Sequence, residues 1–193
     1  MNLKRTLTWL FLALLLLAVV ALGVRSARAL RGPPLQPWHT HVPVELSADQ
    51  LDSADWARYL AQEQAILDDI RANVTQRLEP DARVPYNRYF EGSPVYPPRF
   101  TQDWKRSYVM EPSGPPTGVV VLLHGLTDSP YSLRHVARRY VERGFVAIGI
   151  RMPGHGTVPA GLSEVRWRDW SAATRLAVRE ARRRVPARGV ALL

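Results

Sequence analysis

Apolar positions fall into three kinds of pattern along this chain, and each predicts a different element. Residues 7–24 (LTWLFLALLLLAVVALGV) are apolar almost without a break and carry no charge. As a helix this run is ~27 Å long, close to the ~30 Å hydrocarbon thickness of a bilayer. Lys4 and Arg5 precede it, and Arg25, Arg28 and Arg31 follow. The run therefore predicts a single-pass N-terminal membrane anchor. A secretory signal, leaving a secreted or periplasmic protein after cleavage, fits the same residues, because Ala27-Arg28-Ala29 resembles a small-residue cleavage site. Basic residues at both ends leave the orientation open.

The second pattern is helical. Residues 25–46 are rich in Pro and Arg without a sustained period, as in an extended stalk. Ser47 and Gln50 then form a capping box, with Asp49 in the first turn, which predicts a helix running to about Leu78. Its apolar stripe is broken: Leu51, Ala54, Leu60, Ile66, Leu67, Ile70, Val74 and Leu78. Residues 80–98 have loop chemistry with aromatics, and residues 103–110 (DWKRSYVM) predict a first antiparallel strand before the PSGPPTG turn.

The third pattern begins at Val119. Val119 to Leu123 is a continuous apolar and β-branched run, the mark of a strand buried on both faces. Ser129 and Pro130 predict the start of a helix with Leu133, Val136, Ala137, Tyr140 and Val141 facing inward, ended by Gly144. A second buried strand covers residues 145–150. A second helix from about Arg168 places Trp170, Ala173, Ala177, Val178, Ala181 and Val185 on one face. A last strand begins at Val190. Strands alternating with helices imply right-handed crossovers and a mostly parallel sheet flanked by helices. The expected organisation is an anchor or signal over 1–31, a stalk and helical extension over 32–104, and an α/β unit over 105–193.

Composition narrows the chemistry. The absence of cysteine excludes disulfides, thiolate metal sites and a cysteine nucleophile. The formal net charge is +9, yet of the 26 basic residues only Lys4 and Lys105 are lysines, and the arginines are spread over helix faces among carboxylates. No aromatics are interleaved for base stacking, so nucleic acid is not an expected partner. His39 and His41 lack a third ligand nearby in sequence, and no metal or other cofactor is expected. Asn73-Val74-Thr75 has the form of a glycosylation acceptor but lies on a predicted helix.

Two loops carry candidate chemistry. His124-Gly125-Leu126 follows the first buried strand directly, and Arg151-Met152-Pro153-Gly154-His155-Gly156 follows the second. With Trp167-Arg168-Asp169-Trp170 at the entry to the second helix, these motifs resemble the α/β-hydrolase fold family, in particular monoacylglycerol-lipase-like and serine-aminopeptidase-like hydrolases. The resemblance covers residues 105–193 and corresponds to the N-terminal half of that fold. It differs at Arg151, where the family often has Asp.

The resemblance implies a fold and roles. The fold is a partial α/β-hydrolase core preceded by a transmembrane helix and a helical extension. The backbone N–H of Leu126 would be an oxyanion-hole donor, with His124 and Gly125 shaping its turn. Gly154, His155 and Gly156 would form a structural loop, since the family's catalytic histidine comes after its serine and acid. The strand from Val190 would lead into a G-x-S-x-G elbow. No such pentapeptide occurs in the 193 residues, and neither Ser113 nor Ser129 sits on a strand-to-helix elbow. No catalytic residue is therefore assigned within the chain. The expectation is a membrane-anchored serine hydrolase of ester, lipid or related acyl substrates, here a truncated chain that is inactive as given. A non-catalytic, membrane-tethered half-domain that binds a partner or lipid is the alternative.

Overall fold

The computed structural model describes residues 3–32, 34–103, 105–185 and 189–193. It divides the chain into two compact units, Met1–Leu35 and Gln36–Leu193. The first is a single helix, α1 (Leu3–Leu30). Within it, Arg5–Leu30 is long and apolar enough to cross a membrane, a property that a signal sequence shares. Its large apolar side chains from Leu7 to Val24 are exposed.

The second unit is built on a four-stranded sheet in the order β1-β3-β2-β4. The strands are β1 (Tyr108–Met110), β2 (Gly118–Leu123), β3 (Phe145–Ile150) and β4 (Val190–Leu192). β2 pairs in parallel with β3 and β4, whereas β1 lies antiparallel on the outer side of β3. Trp104, in the segment expected to start β1, lies outside the described residues, and the strand proper begins at Tyr108.

The apolar strands are buried on both faces, as their unbroken sequence predicts. Val119 and Val121 point into one core with Val146, Ile148 and Ile150, while Val120, Leu122 and Ala147 point into another. α5 (Arg134–Val141) covers the second core through Ala137. α6 (Trp167–Arg184) covers the first through Ala172, Ala173, Leu176, Ala177 and Ala181. The four alanines let α6 lie close to the sheet.

The N-terminal extension joins this core instead of standing away from it. α2 (Pro37–Thr40), α3 (Ala48–Ser53) and α4 (Trp56–Asn73) belong to the same compact unit as the sheet. Leu46, Leu51, Ala54, Trp56 and Tyr59 pack into the first core. The segment read as an extended stalk is thus partly helical, and its end at Leu46 is buried.

The single helix expected over residues 47–78 is two helices. Ser47 and Gln50 do make the capping box. Ala54 is extended, however, and the Asp55 side chain accepts the Arg58 N–H at 2.8 Å, starting a new helix. Arg179 of α6 donates to the carbonyls of Leu51 and Ala54 at 2.8 and 3.0 Å, satisfying acceptors left open where α3 stops. Arg175 grips Asp52 with two bonds of 2.8 and 2.7 Å. α4 ends at Asn73, followed by a short 3-10 turn, Thr75–Arg77.

Two further corrections concern turns. Ser129 makes no side-chain cap, and Pro130–Leu133 is a 3-10 turn leading into α5. The Ser129 N–H instead donates to Asp128 Oδ1 at 2.8 Å. Gly144 closes α5 as expected, with φ +85°.

Candidate active site

The His124-Gly125-Leu126 turn leaves β2 at the end where β3 delivers the Arg151 to Gly156 loop. Parallel pairing fixes that adjacency, because Leu123 is in register with Ile150. His124 ties the two loops together. Its Nε2 accepts the Met152 N–H at 3.0 Å, so the ring proton sits on Nδ1, which donates to the Gly125 carbonyl at 3.0 Å. Burial lowers the His124 pKa, the Gly125 hydrogen bond pulls it the other way, and the neighbouring His155 lowers it further. A neutral ring is what this bonding pattern requires.

Gly125 is not in a glycine-only conformation. Positive φ occurs at Gly144, Gly154 and Gly156, and a Cβ on Gly125 would meet nothing within 4 Å. The turn is made sharp by His124 and by the Asp128 N–H bonding the Gly125 carbonyl at 3.1 Å, not by glycine's conformational freedom. What Gly125 leaves is open space. Leu126 is 62% exposed, and among the described residues its N–H has no hydrogen-bond acceptor. Leu126, Ser129, His155, Thr157 and Leu162 line a cleft of about 350 Å³.

The opposing loop is rigid for separate reasons. Gly154 (φ +80°) and Gly156 (φ +69°) need the left-handed region, and a Cβ on Gly154 would stand 2.8 Å from the Gly161 carbonyl oxygen. His155 is buried, with Nδ1 donating to the Pro153 carbonyl at 2.9 Å. Its ring stands edge-on between His124 and Trp170, at centroid distances of 5.0 and 5.5 Å. Trp170 donates its indole N–H to the same Pro153 carbonyl at 3.1 Å.

Behind this loop lies a charged cluster that sequence reading did not find. The Arg151 side chain is 1% exposed and forms a two-pronged pair with Glu45 at 2.7 and 2.9 Å. It also meets Glu63 at 3.3 Å and donates to the His155 carbonyl at 3.1 Å. Glu45 in turn accepts the Gly154 N–H at 2.7 Å. Glu63 accepts the Ser107 hydroxyl at 2.8 Å, and Ser107 Oγ accepts the Arg151 N–H at 2.8 Å. The Tyr59 hydroxyl donates to the Arg151 carbonyl. Burial works against the Arg151 charge, but the carboxylates of Glu45 and Glu63 more than offset it and hold the guanidinium protonated. Burial likewise drives the Tyr59 phenol far up, keeping it neutral and a donor.

One signal for this cluster was present in the sequence. Trp56, Tyr59, Glu63, Ile66 and Ile70 are the buried positions of α4, a regular helical stripe with a carboxylate in its middle. A charge on the apolar face of a helix requires a buried partner, and Arg151 is the one buried arginine among the described residues.

The remaining candidates do not converge on the cleft. His41 is bound to Asp69 at 2.5 Å and His39 contacts Trp38, so the two rings face different partners. Among the described residues no group of three or more His, Asp or Glu side chains could hold a metal. His135 and Ser113 are exposed, and no hydrogen bond joins Ser129 Oγ to a histidine among the described residues. Asn73 donates to Asp69 at 2.7 Å.

Comparison with known proteins gives a partial match. No family model matches the chain. The chain is similar to a thermostable monoacylglycerol lipase of Bacillus sp. (strain H-257), 36% identical over 58 residues, which is 30% of this chain and 23% of the lipase. It is also similar to a solved structure from work on LipS and LipT, two metagenome-derived lipolytic enzymes. There the identity is 27% over 47% of this chain and 36% of the other, with a TM-score of 0.41. The chain thus spans about a quarter of the curated relative. The parallel β2-α5-β3 crossover, the His124 turn locked to the Gly154 loop and the match to the lipase together support an α/β-hydrolase family for this chain, over part of its length.

Proposed function

We propose that the chain provides the oxyanion-binding side of a membrane-anchored serine hydrolase that cleaves ester, lipid or related acyl substrates. The Leu126 N–H carries this reading. It is exposed, without an acceptor among the described residues, and set by a buried neutral histidine at the mouth of a cleft. When a nucleophile attacks an acyl carbonyl, negative charge grows on oxygen, and a fixed N–H stabilises it without reorganising. Loss of one such donor costs about 10²–10³ in rate. The similarity to a monoacylglycerol lipase supports the acyl substrate class.

On this reading no catalytic serine, base or acid is assigned among these 193 residues, which contain no G-x-S-x-G elbow. His155 does not serve as the base, since its Nδ1 proton is committed to Pro153 and its ring is packed between His124 and Trp170. The apolar helix Arg5–Leu30 serves as the anchor.

The test is fluorophosphonate labelling of the protein as made in its source cells, followed by peptide mapping. We expect a labelled species whose modified serine is none of those in residues 1–193, and its loss in Leu126→Pro, which deletes the N–H. Label on a serine within 1–193, or no labelled species at all, would overturn the serine-hydrolase reading. The same preparation tests the anchor: retention of α1 in alkali-washed membranes supports it, and a mature N-terminus near Ala29 refutes it.

A further inference from the structure

A second cavity adjoins the cleft and has a different chemistry. It measures about 770 Å³, and its walls include Arg88, Phe100, Lys105, Ser129, Tyr131 and Arg138. Arg88 and Ser129 also line the cleft that holds Leu126, so the two hollows share a wall. Arg88 comes from the loop after α4, Lys105 from the approach to β1, and Arg138 from α5. Positive charge therefore converges on one space from three parts of the chain.

The carboxylate in the cavity wall, Asp103, is already engaged. Asp103 accepts the Lys105 backbone N–H at 3.1 Å and turns its other oxygen to Arg106 Nε at 3.6 Å. Asp68 and Glu91 line a neighbouring hollow that shares Arg88, Asp103 and Lys105, and Glu91 is paired with Arg71 at 3.0 Å. Among the described residues neither Arg88 nor Lys105 has a carboxylate within ion-pair distance. Burial, and then the charge of Arg88, lowers the Lys105 ammonium to about 7, with Asp103 acting weakly the other way. Two cations that line one cavity, each raising the cost of the other's charge, are an arrangement that a bound anion relieves.

We infer that this cavity is a binding site for a phosphate group, held between Arg88 and Lys105 beside the Leu126 turn. A phosphate offers several acceptor oxygens to cations arriving from different directions, which suits this space better than a single planar carboxylate. The phosphate is either the free ion or the headgroup of an acyl ester whose carbonyl lies at Leu126. The headgroup assignment rests on the hydrolase reading above, whereas the site itself does not. Binding protonates Lys105, so affinity weakens as pH rises above about 7, the value to which burial and Arg88 lower that amine.

Lysine scarcity makes the test clean, since Lys4 and Lys105 are the only lysines in the chain. The full chain in a non-ionic detergent is treated with a limiting amine-acetylating reagent at a pH where phosphate is dianionic, and both sites are quantified by mass spectrometry. We expect Lys105 to react readily in chloride, and inorganic phosphate at matched ionic strength to reduce its modification several-fold with Lys4 unchanged. Arg88→Ala should remove most of that protection. A short-chain monoacylglycerol phosphate that protects at lower concentration than inorganic phosphate, while the neutral monoacylglycerol does not, supports the headgroup assignment. Equal protection by the ester and the free ion overturns that assignment. Absence of protection by either overturns the site. Labelling needs no turnover, so these outcomes are independent of whether a serine hydrolase is assembled.

Discussion

Replacing Glu45 with Ala removes one carboxylate and strands two buried groups. Glu45 makes two bonds to Arg151 and accepts the Gly154 N–H, and its side chain is only 9% exposed. Breaking a buried ion pair by deleting one partner costs about 3–5 kcal/mol, chiefly because the surviving charge is left uncompensated. Arg151 keeps Glu63 at 3.3 Å and the His155 carbonyl, so its charge is not fully orphaned. The Gly154 N–H has no replacement, and an unpaired buried donor costs about 1–3 kcal/mol. These terms place Glu45→Ala near 3 kcal/mol, or ~6–12 °C in melting temperature for a domain of this size. Glu45→Gln keeps an acceptor but not the charge, and should lose about half as much. The assay is thermal unfolding of the full chain in non-ionic detergent, with Asp52→Ala as comparator. Asp52 also holds an arginine by two bonds, but at an exposed site where solvent screens the pair. A Glu45→Ala shift no larger than that of Asp52→Ala would refute the claim that burial of the Arg151 cluster is what makes it matter.

Two further outcomes follow from the loops. Gly154→Ala must place a Cβ at φ +80° and 2.8 Å from the Gly161 carbonyl oxygen, and should destabilise by about 2 kcal/mol or more. Gly125→Ala meets open space and should melt like the parent, so equal damage from both would show that the loop geometry is misjudged. His124 has a lowered pKa, so the unfolded chain takes up a proton before the folded one does. Its stabilising contribution is present above the ordinary imidazole value of about 6.5 and is lost as pH falls through the lower folded value. Unfolding measured against pH should steepen over that acid window in the parent and flatten in His124→Gln, and an unchanged slope would remove His124 as its source.

The elements that sequence made plain are those whose residues all favour one answer. Phe145–Ile150 forms the strand read from its apolar run, and the β2 strand differs from its reading only by Gly118. The His124 turn and the Gly154 loop were visible as motifs because their positions follow from the ends of those strands. The break between α3 and α4 was not visible, because the Ser47 cap and the continuing stripe hid the local advantage of Asp55 as a second cap. Glu45 and Glu63 drew no notice as site residues, since charge usually marks an outer face. Their partner lies about a hundred residues away, and only the fold brings it there. Leu60, read as part of the stripe, is exposed for the same reason that Glu63 is buried: the packed face is turned toward Arg151.

That separation governs the order in which the chain can be completed. The bonds from Arg151 to Glu45, from Arg175 to Asp52 and from Arg179 to Leu51 span 106, 123 and 128 residues. During synthesis the early segment emerges with its carboxylates solvated and waits for the loop after β3 and then for α6. Local pairing of β2, α5 and β3 closes much shorter loops and can come first. The residues nearest the N-terminus in this unit are thus made early and seated late, and a nascent chain paused before Trp167 would expose Leu46, Leu51 and Trp56 without the α6 face that completes their core.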